Sequence, residues 1–323
     1  MRALAVALVA AAACQPEQPP STTEDRGPAL QVIALDVGQG DATLVIGTDG
    51  SALLIDGGSS SHVADVRDLV AAQTAGRVDH VVVTHWDADH LGGLADFLLG
   101  EDRRARTADD GAAGADLWDY GDDGGCDSQA CQRYRTSRTG RARVITLGQV
   151  LALGDAEAEC VTVNGQVAGG TSITTTDENV RSVGLLVRHG TFRALFTGDL
   201  TGGGDAFPDL ETPLARYTGP VDLLHVNHHG SAASTNATAL ALWHPRAALI
   251  SVGTDNSYCH PAQSVLDRLA AQGTRVFSTG QGITQADGTC RVTSWPAGSA
   301  SVGTVMVSAY RDGSLYVAGE EIP

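Results

Sequence analysis

The chain has 323 residues, of which 42% are hydrophobic, enough to bury one large core or two small ones. Its formal net charge is −17, and all 21 residues counted as Lys or Arg are arginine. The lack of lysine excludes a Schiff-base lysine and a P-loop lysine, and the acidic balance argues against a protein that coats nucleic acid through overall positive charge.

The N-terminal region is typical of an exported protein. Arg2 precedes an apolar run over residues 3–13 that is too short to cross a bilayer comfortably as a mature helix. The run ends in Ala12-Ala13-Cys14, which resembles the lipobox of bacterial lipoproteins. We therefore predict a signal peptide over residues 1–13 and export, either as a lipoprotein of the bacterial cell envelope whose lipidated Cys14 anchors it in the membrane, or as a periplasmic or secreted protein. Residues 14–29, rich in Pro, Thr and Glu, are predicted to form a disordered tether.

From residue 30 onward, short apolar runs separated by Gly and Asp turns predict a series of strands. In the first half, the predicted strands are 31–37, 42–46, 52–55 and 79–84, and the predicted helices are 62–75 and 91–99. In the second half, strands are predicted at 143–147, 150–153, 159–163, 182–188, 191–196, 221–226 and 247–252, and helices at 235–243 and 261–271. The repetition predicts two similar halves packed face to face rather than two independent domains.

Residues 101–143 interrupt this pattern. They are crowded with Asp, Gly and Arg and are predicted to form a surface insertion. Two interpretations of its arginines stay open: a solvated segment that pairs with its own acidic neighbours, or a contact strip for a polyanion. The arginines in question, which follow one another without an intervening acidic residue, are Arg133, Arg135, Arg138, Arg141 and Arg143.

The cysteine content fits an oxidising compartment. An odd number of cysteines remains when Cys14 is set aside, so at most two disulfides and one spare thiol are possible. Cys126 and Cys131 lie in one polar loop and could close a small ring. The remaining three are Cys160, Cys259 and Cys290.

Candidate metal ligands are concentrated where a predicted strand ends and a helix begins. His85, Asp87, Asp89 and His90 are four ligand-type side chains within six residues. The first two can point one way while the other two point into the same space from the start of the helix. This density predicts a metal site.

Two further segments complete the predicted site. Asp199 ends a hydrophobic strand in the sequence Phe-Thr-Gly-Asp, where a carboxylate can bridge two cations or cap a turn. His228 and His229 end the next predicted strand. We expect one of these histidines to bind metal and the other to support it.

The order of these motifs resembles that of the metallo-β-lactamase-fold hydrolases. HxDxDH is followed by FTGD and HHGS, and the earlier segments LDVGQGDA and LIDGG look like the hydrolase domain of ComEC-type DNA-uptake (competence) proteins. The likeness extends to residues 178–182 and 256–261 and covers nearly all of residues 30–290. It implies an α/β fold, namely a metallo-β-lactamase-like αββα four-layer sandwich over residues 30–323, with the site at one edge between the two sheets.

The resemblance also implies two divalent metal ions. Each would take two ligands from the first cluster, one carboxylate would bridge the two ions, and one histidine of the later pair would complete the set. By position, the ligands are His85 and Asp87 for the first metal, Asp89 and His90 for the second, Asp199 as the bridge, and His228 or His229.

The ligand set departs from that of many family members. Asp87 stands where they have histidine, and the only histidine between residues 155 and 199 is His189, in a predicted hairpin turn. The site is therefore rich in oxygen ligands, which shifts the preference from zinc toward manganese. Incomplete ligation of the first metal also leaves a single metal ion as an alternative.

The implied activity is hydrolysis by a metal-activated water. Asp89 would orient the water or accept its proton, Asp56 would be a supporting acid, and His260 would steady the substrate, protonate a leaving group or merely pack its loop. The resemblance favours a phosphodiesterase or nuclease acting on single-stranded DNA or another phosphodiester. The alternatives are hydrolysis of another ester, a lactone or a lactam, and an inactive metal-bearing binding module. No nucleotide cofactor is predicted, and no protein partner is indicated.

Overall fold

Two β-sheets form the centre of the fold in the computed structural model. It describes residues 27–323 except 106, 108–109, 123, 127, 205–206, 255, 283–291 and 293. The predicted signal peptide, Cys14 and nearly all of the predicted tether lie outside the described residues. Within the described ranges, none of the helices combines the length and the apolar character needed to span a bilayer.

The first sheet contains nine of the described strands. Those formed by residues 52–144 run parallel to one another, and the remaining pairs are antiparallel. In order across the sheet, the strands are Glu320–Ile322 (β19), Leu315–Val317 (β18), Val305–Ala309 (β17), Leu30–Ala34 (β1), Thr43–Ile46 (β2), Ala52–Ile55 (β3), His80–Val82 (β4), Asp116–Asp119 (β5) and Ala142–Val144 (β6).

The second sheet contains ten of the described strands, and its second half is parallel. In order, nine of them are Thr171–Ser172 (β10), Gln166–Val167 (β9), Ala156–Val163 (β8), Gly184–His189 (β11), Phe192–Phe196 (β12), Leu223–His225 (β13), Ala247–Ile250 (β14), Arg275–Ser278 (β15) and Ala300–Ser301 (β16). The tenth, Val150–Leu153 (β7), pairs with β8 away from this path.

Helices accompany both sheets. The α-helices are Val63–Thr74 (α1), Ala88–Leu99 (α2), Gln129–Arg138 (α3), Glu211–Thr218 (α4), Ala237–Trp243 (α5) and Gln263–Ala271 (α6). Short 3-10 helices cover Ser60–His62, Asn179–Arg181 and Asn227–Gly230.

Side chains along the strands of the second sheet point alternately to its two faces, and the apolar ones therefore belong to two separate cores. Leu185 and Val187 of β11 join the core that contains the first sheet and α1–α3, whereas Leu186 between them joins the core formed with α4–α6. Successive side chains of a strand point to opposite faces, so one face of this sheet packs on the first sheet and the other on helices. The predicted αββα four-layer sandwich is therefore confirmed.

The segment 101–143 differs from the expected surface insertion. It contributes β5 and β6 to the first sheet, and α3 packs against α2. Leu117 of β5 and Tyr134 of α3 are fully buried. The large apolar residues of this segment are buried although the segment as a whole is polar, so its composition does not indicate that it joins the core.

The arginines of this segment pair with carboxylates, as the first of the two interpretations predicts. Each lies within 4 Å of an Asp carboxylate, and most of these partners belong to the same segment. Because such pairs neutralise the local positive charge, they argue against a free cationic strip. The pairs are Arg133–Asp96 (2.6 Å), Arg135–Asp122 (2.7 Å), Arg138–Asp119 (2.7 Å), Arg141–Asp110 (3.6 Å) and Arg143–Asp116 (3.1 Å).

The small disulfide ring predicted between Cys126 and Cys131 is present. Ser128, inside the ring, caps α3 by accepting a hydrogen bond from the backbone N–H of Cys131 at 3.1 Å. Cys160 is a buried free thiol, and burial raises its pKa to about 12. A thiol in that protonated state is a poor nucleophile, so Cys160 is inert.

Candidate metal centre

Most of the predicted site residues lie in segments that follow parallel strands, and Asp89 and His90 lie in the first turn of α2. His85 comes shortly after β4, Asp199 after β12, and His228 and His229 after β13. The carboxyl ends of neighbouring parallel strands meet at one edge of a sheet, which is where ligands bind in such folds. Packing the two sheets face to face then brings the β4 loop against the β12 and β13 loops.

Asp199 lies at the centre of the resulting cluster. Its Oδ1 atom is 3.2 Å from His90 Nε2 and 3.7 Å from His229 Nε2. Its Oδ2 atom is 3.7 Å from His85 Nε2 and 3.5 Å from His228 Nε2. Each carboxylate oxygen thus faces a different pair of imidazoles, an arrangement suited to bridging two cations.

Two more carboxylates flank these pairs. Asp87 Oδ2 is 3.6 Å from His85 Nε2, and Asp89 Oδ2 is 3.5 Å from His229 Nε2. The structure therefore brings all seven predicted metal-ligating residues together. His229 is buried whereas the His228 side chain is 19% exposed, and only His229 contacts Asp89.

Asp56 supports His90 from behind. It is fully buried, and its Oδ2 is 2.9 Å from His90 Nδ1. It also accepts hydrogen bonds from the backbone N–H of Thr84 at 2.8 Å and from the Thr84 hydroxyl at 2.6 Å. Because a carboxylate only accepts, the Nδ1 atom of His90 donates its proton to Asp56, which leaves Nε2 as the atom that faces Asp199 and would bind a metal ion.

Asp41 belongs to the cluster although no role was predicted for it. Together with His90, Asp199 and His229, it offers ligand-type atoms that all lie within 4.8 Å of one another. Its carboxylate is 3.5 Å from His229 Nδ1, on the opposite side of that ring from Asp199. The Asp41 N–H donates to the Asp89 carbonyl at 3.1 Å, and a Cβ at Gly40, whose φ is +141°, would lie 2.2 Å from that oxygen. The sequence signal for the role of Asp41 was the Gly-Gln-Gly-Asp segment over residues 38–41. Its close approach to Asp89 places the Asp41 carboxylate against the HxDxDH motif.

The charges of the cluster are strongly coupled. Burial disfavours the ionised form of Asp199, but the neighbouring imidazoles, His90 and His229 foremost, hold its pKa well below the usual range. Burial likewise opposes protonation of His229, yet Asp199 and Asp41 raise its pKa well above the ordinary value. The carboxylates thus make this buried pocket strongly attractive to positive charge.

The donor set fits divalent metal ions. His85 is fully buried, and its Nε2 atom makes no hydrogen bond within the described part of the chain. Its Nδ1 is 3.0 Å from the Thr84 hydroxyl, so Nε2 remains as the coordinating atom. Buried imidazole and carboxylate groups converging in this way form a cluster that is compatible with divalent cations.

The Asp56→Asn variant should bind Mn²⁺ about 10–100-fold more weakly than the wild type. The amide would turn one acceptor oxygen into a donor that faces Thr84 or His90, and so would release the His90 ring. Calorimetric titration with Mn²⁺ measures this effect. The matched control is Asp65→Asn, which removes an exposed carboxylate 2.8 Å from His62 Nδ1, and unchanged affinity in Asp56→Asn would contradict this role.

His260 adjoins the cluster, and a cleft opens beside it. The His260 ring centroid lies 5.3 Å from that of His228, and burial together with the neighbouring imidazoles lowers the His260 pKa to about 4. The cleft has a volume of about 700 Å³. Its wall includes residues of the HxDxDH sequence, which we call the metal motif, and of the ring closed by the Cys126–Cys131 disulfide. Lining residues include Trp86, Asp87, Asp89, Glu178, Arg181 and Tyr258.

A buried carboxylate on α4 holds the loop that carries His228 and His229, which we call the histidine loop. Glu211 is fully buried and accepts hydrogen bonds from Asn227 Nδ2 at 2.7 Å and from the backbone N–H groups of Thr235 and Asn236. The Thr197 hydroxyl donates to Oδ1 of the same Asn227. Glu211 therefore connects α4 to the loops that carry Asp199 and the histidine pair, a role the sequence did not reveal.

Comparison with known proteins agrees with this architecture. Residues 35–110 match the family model of the metallo-beta-lactamase superfamily. The chain is 30% identical over 256 residues to Recombination protein 2 of Haemophilus influenzae, covering 78% of this chain and 28% of that protein. It is 25% identical over 273 residues to ComE operon protein 3 of Bacillus subtilis, covering 78% and 32%. Among solved structures, CmlA, a diiron beta-hydroxylase from Streptomyces venezuelae, aligns with a TM-score of 0.47 and 15% identity over 77% of this chain and 52% of that one.

The two facing sheets with outer helices, the Asp and His cluster and the match over residues 35–110 agree with a metallo-β-lactamase fold. The chain resembles the ComEC-type competence proteins over most of its own length. It spans only 28% and 32% of the length of the two relatives above.

Proposed function

We propose that this chain is a metal-dependent hydrolase that cleaves phosphodiesters, with single-stranded DNA as the expected substrate. The observation that carries the proposal is the position of Asp199, whose two oxygens face two separate pairs of imidazoles. His85, Asp87 and His228 would hold one divalent cation, and Asp89, His90 and His229 the other. The share of carboxylates favours manganese over zinc.

The chain's own groups have distinct tasks in this proposal. Divalent cations bound there would lower the pKa of a water molecule and polarise the scissile bond. Asp89 is 31% exposed and lines the cleft, so it can orient the attacking water and accept its proton. Asp56 fixes the ring of His90, and His260, packed on His228, is placed to steady the substrate or protonate the leaving group.

The phosphodiester is favoured by similarity to the competence proteins. A second candidate is hydrolysis of another ester, a lactone or a lactam. The paired arginines of α3 and β6 favour it, because they leave little free positive charge for a polyanion.

Export is part of the same proposal. The predicted signal over residues 1–13 would direct it, and Cys14 would carry a lipid anchor. The disulfide between Cys126 and Cys131 supports an oxidising compartment.

The test is hydrolysis of bis-p-nitrophenyl phosphate and of labelled single-stranded DNA by the purified protein. We expect cleavage of both with Mn²⁺, its loss on adding a chelator, and its recovery when Mn²⁺ or Zn²⁺ is restored. Metal binding without phosphodiester cleavage would shift the assignment to the second candidate, or to an inactive binding module if no ester, lactone or lactam is cleaved. Failure to bind any divalent metal would refute the proposal.

A further inference from the structure

Tyr258 is an aromatic side chain exposed at the wall of the cleft. It is 66% accessible, whereas most aromatic residues near the site, such as Trp86 and Tyr120, are buried. It lines the same cleft as Asp87 and Asp89 of the metal motif. Because most of its surface is accessible, this ring beside a candidate active site can contact a ligand.

The Tyr258 ring is the outermost of three rings in contact, which lead to the cluster: it stacks on His260, and His260 meets His228 edge-on. Its centroid lies 6.0 Å from that of His260, with 20° between the ring planes. The His260 ring in turn lies 5.3 Å from that of His228. A planar group stacked on Tyr258 would therefore lie in the cleft that Asp87 and Asp89 also line.

The loop that carries Tyr258 is braced. The Asn256 side chain donates to the carbonyls of Gly253 at 3.0 Å and His260 at 2.8 Å, and it accepts from the His260 N–H at 2.9 Å. Cys259, the next residue, is disulfide-bonded. A ring presented on such a fixed loop loses little conformational freedom when it binds a ligand.

We propose that Tyr258 is a stacking subsite for a nucleobase adjacent to the scissile phosphodiester, which makes single-stranded nucleic acid the substrate class. This inference rests on the proposed phosphodiesterase function. Base–aromatic stacking is favourable for every base, because each has a π face, so the subsite would select single strands without selecting sequence. In a duplex the bases are already stacked on one another and are not available to this ring.

The test compares two single-stranded substrates with the same backbone, a thymidine oligonucleotide and its abasic counterpart. We expect Tyr258→Ala to lower kcat/KM on the thymidine substrate about 10-fold, mainly through KM, and to leave cleavage of the abasic substrate unchanged. Tyr258→Phe keeps the ring and should behave as the wild type. Tyr217→Ala is the matched control, because Tyr217 is 45% exposed on α4 and does not line the cleft.

Two outcomes would overturn the inference, and they are distinguishable. If the wild type cleaves both substrates and Tyr258→Ala matches it on both, the stacking role is wrong while the phosphodiesterase function stands. If the wild type cleaves neither substrate in the presence of Mn²⁺, the proposed function fails and this inference fails with it.

Discussion

Asp89→Asn is expected to lower turnover by about 1,000-fold or more while the fold remains intact. The Asp89 carboxylate lies at the start of α2, 3.5 Å from His229 Nε2, and is open to the cleft. Asparagine keeps the size of the side chain but removes the negative charge and the capacity to accept a proton. Because the Asp89 side chain is partly exposed, and its neighbour His229 Nε2 also faces Asp199, its substitution should not destabilise the core.

The measurement is kcat on bis-p-nitrophenyl phosphate, with thermal unfolding as the check on the fold. Asp65→Asn, at an exposed surface pair with His62, serves as the control and should be fully active. Turnover in Asp89→Asn equal to that of the wild type would contradict the role of Asp89 in orienting the attacking water and accepting its proton. A large loss of thermal stability would instead mean that Asp89 has a structural role.

Glu211→Ala is expected to lower the free energy of unfolding by about 3 kcal/mol or more. The substitution leaves three donors without their acceptor: the Asn227 amide and the N–H groups of Thr235 and Asn236. It also frees the loop that carries His228 and His229, whose φ angles of +52° require support from their surroundings. Chemical denaturation measures the loss, and the exposed Glu101→Gln is the control.

The pH dependence of stability tests the same residue. Burial raises the Glu211 pKa from 4.5 to about 7, and its three hydrogen-bond donors offset this only in part. Its contribution to stability is therefore fully present below about pH 4.5 and is lost as the pH rises through about 7, a change on the order of 3 kcal/mol. Glu211→Gln cannot ionise, so the wild type should lose more stability than this variant between about pH 5 and about pH 8. Equal losses would show that Glu211 does not titrate in this range.

Local patterns were sufficient for most of the elements around the site. The predicted strand 52–55 matches β3, the predicted helix 62–75 matches α1 within one residue at each end, and the strand at 247–252 contains β14. The ligand cluster was also predictable, because His85, Asp87, Asp89 and His90 are adjacent in the chain. When a motif and the strand end or helix start that flanks it lie within about ten residues, hydrophobic periodicity and turn residues are sufficient to predict both.

Elements that depend on distant partners were not predicted. Strands β17, β18 and β19 extend the first sheet beyond β1, where Val32 lies opposite Val307. Helix α4, with eight residues, and strand β15 were also absent from the predicted elements. Short segments of this kind carry too little periodicity, and their structure is determined by the surface against which they pack.

The sequence by itself determined the fold class, the order of the motifs and the identity of the candidate ligands, because these follow from local patterns and from resemblance to a known family. Only the tertiary structure decided which groups meet. It placed Asp199 between two pairs of imidazoles, Asp41 behind His229, and Glu211 beneath the histidine loop. These groups lie far apart along the chain. Asp199 and the histidines meet because the carboxyl ends of parallel strands from two facing sheets share one edge, while Asp41 and Glu211 reach that edge from a strand connection and from α4.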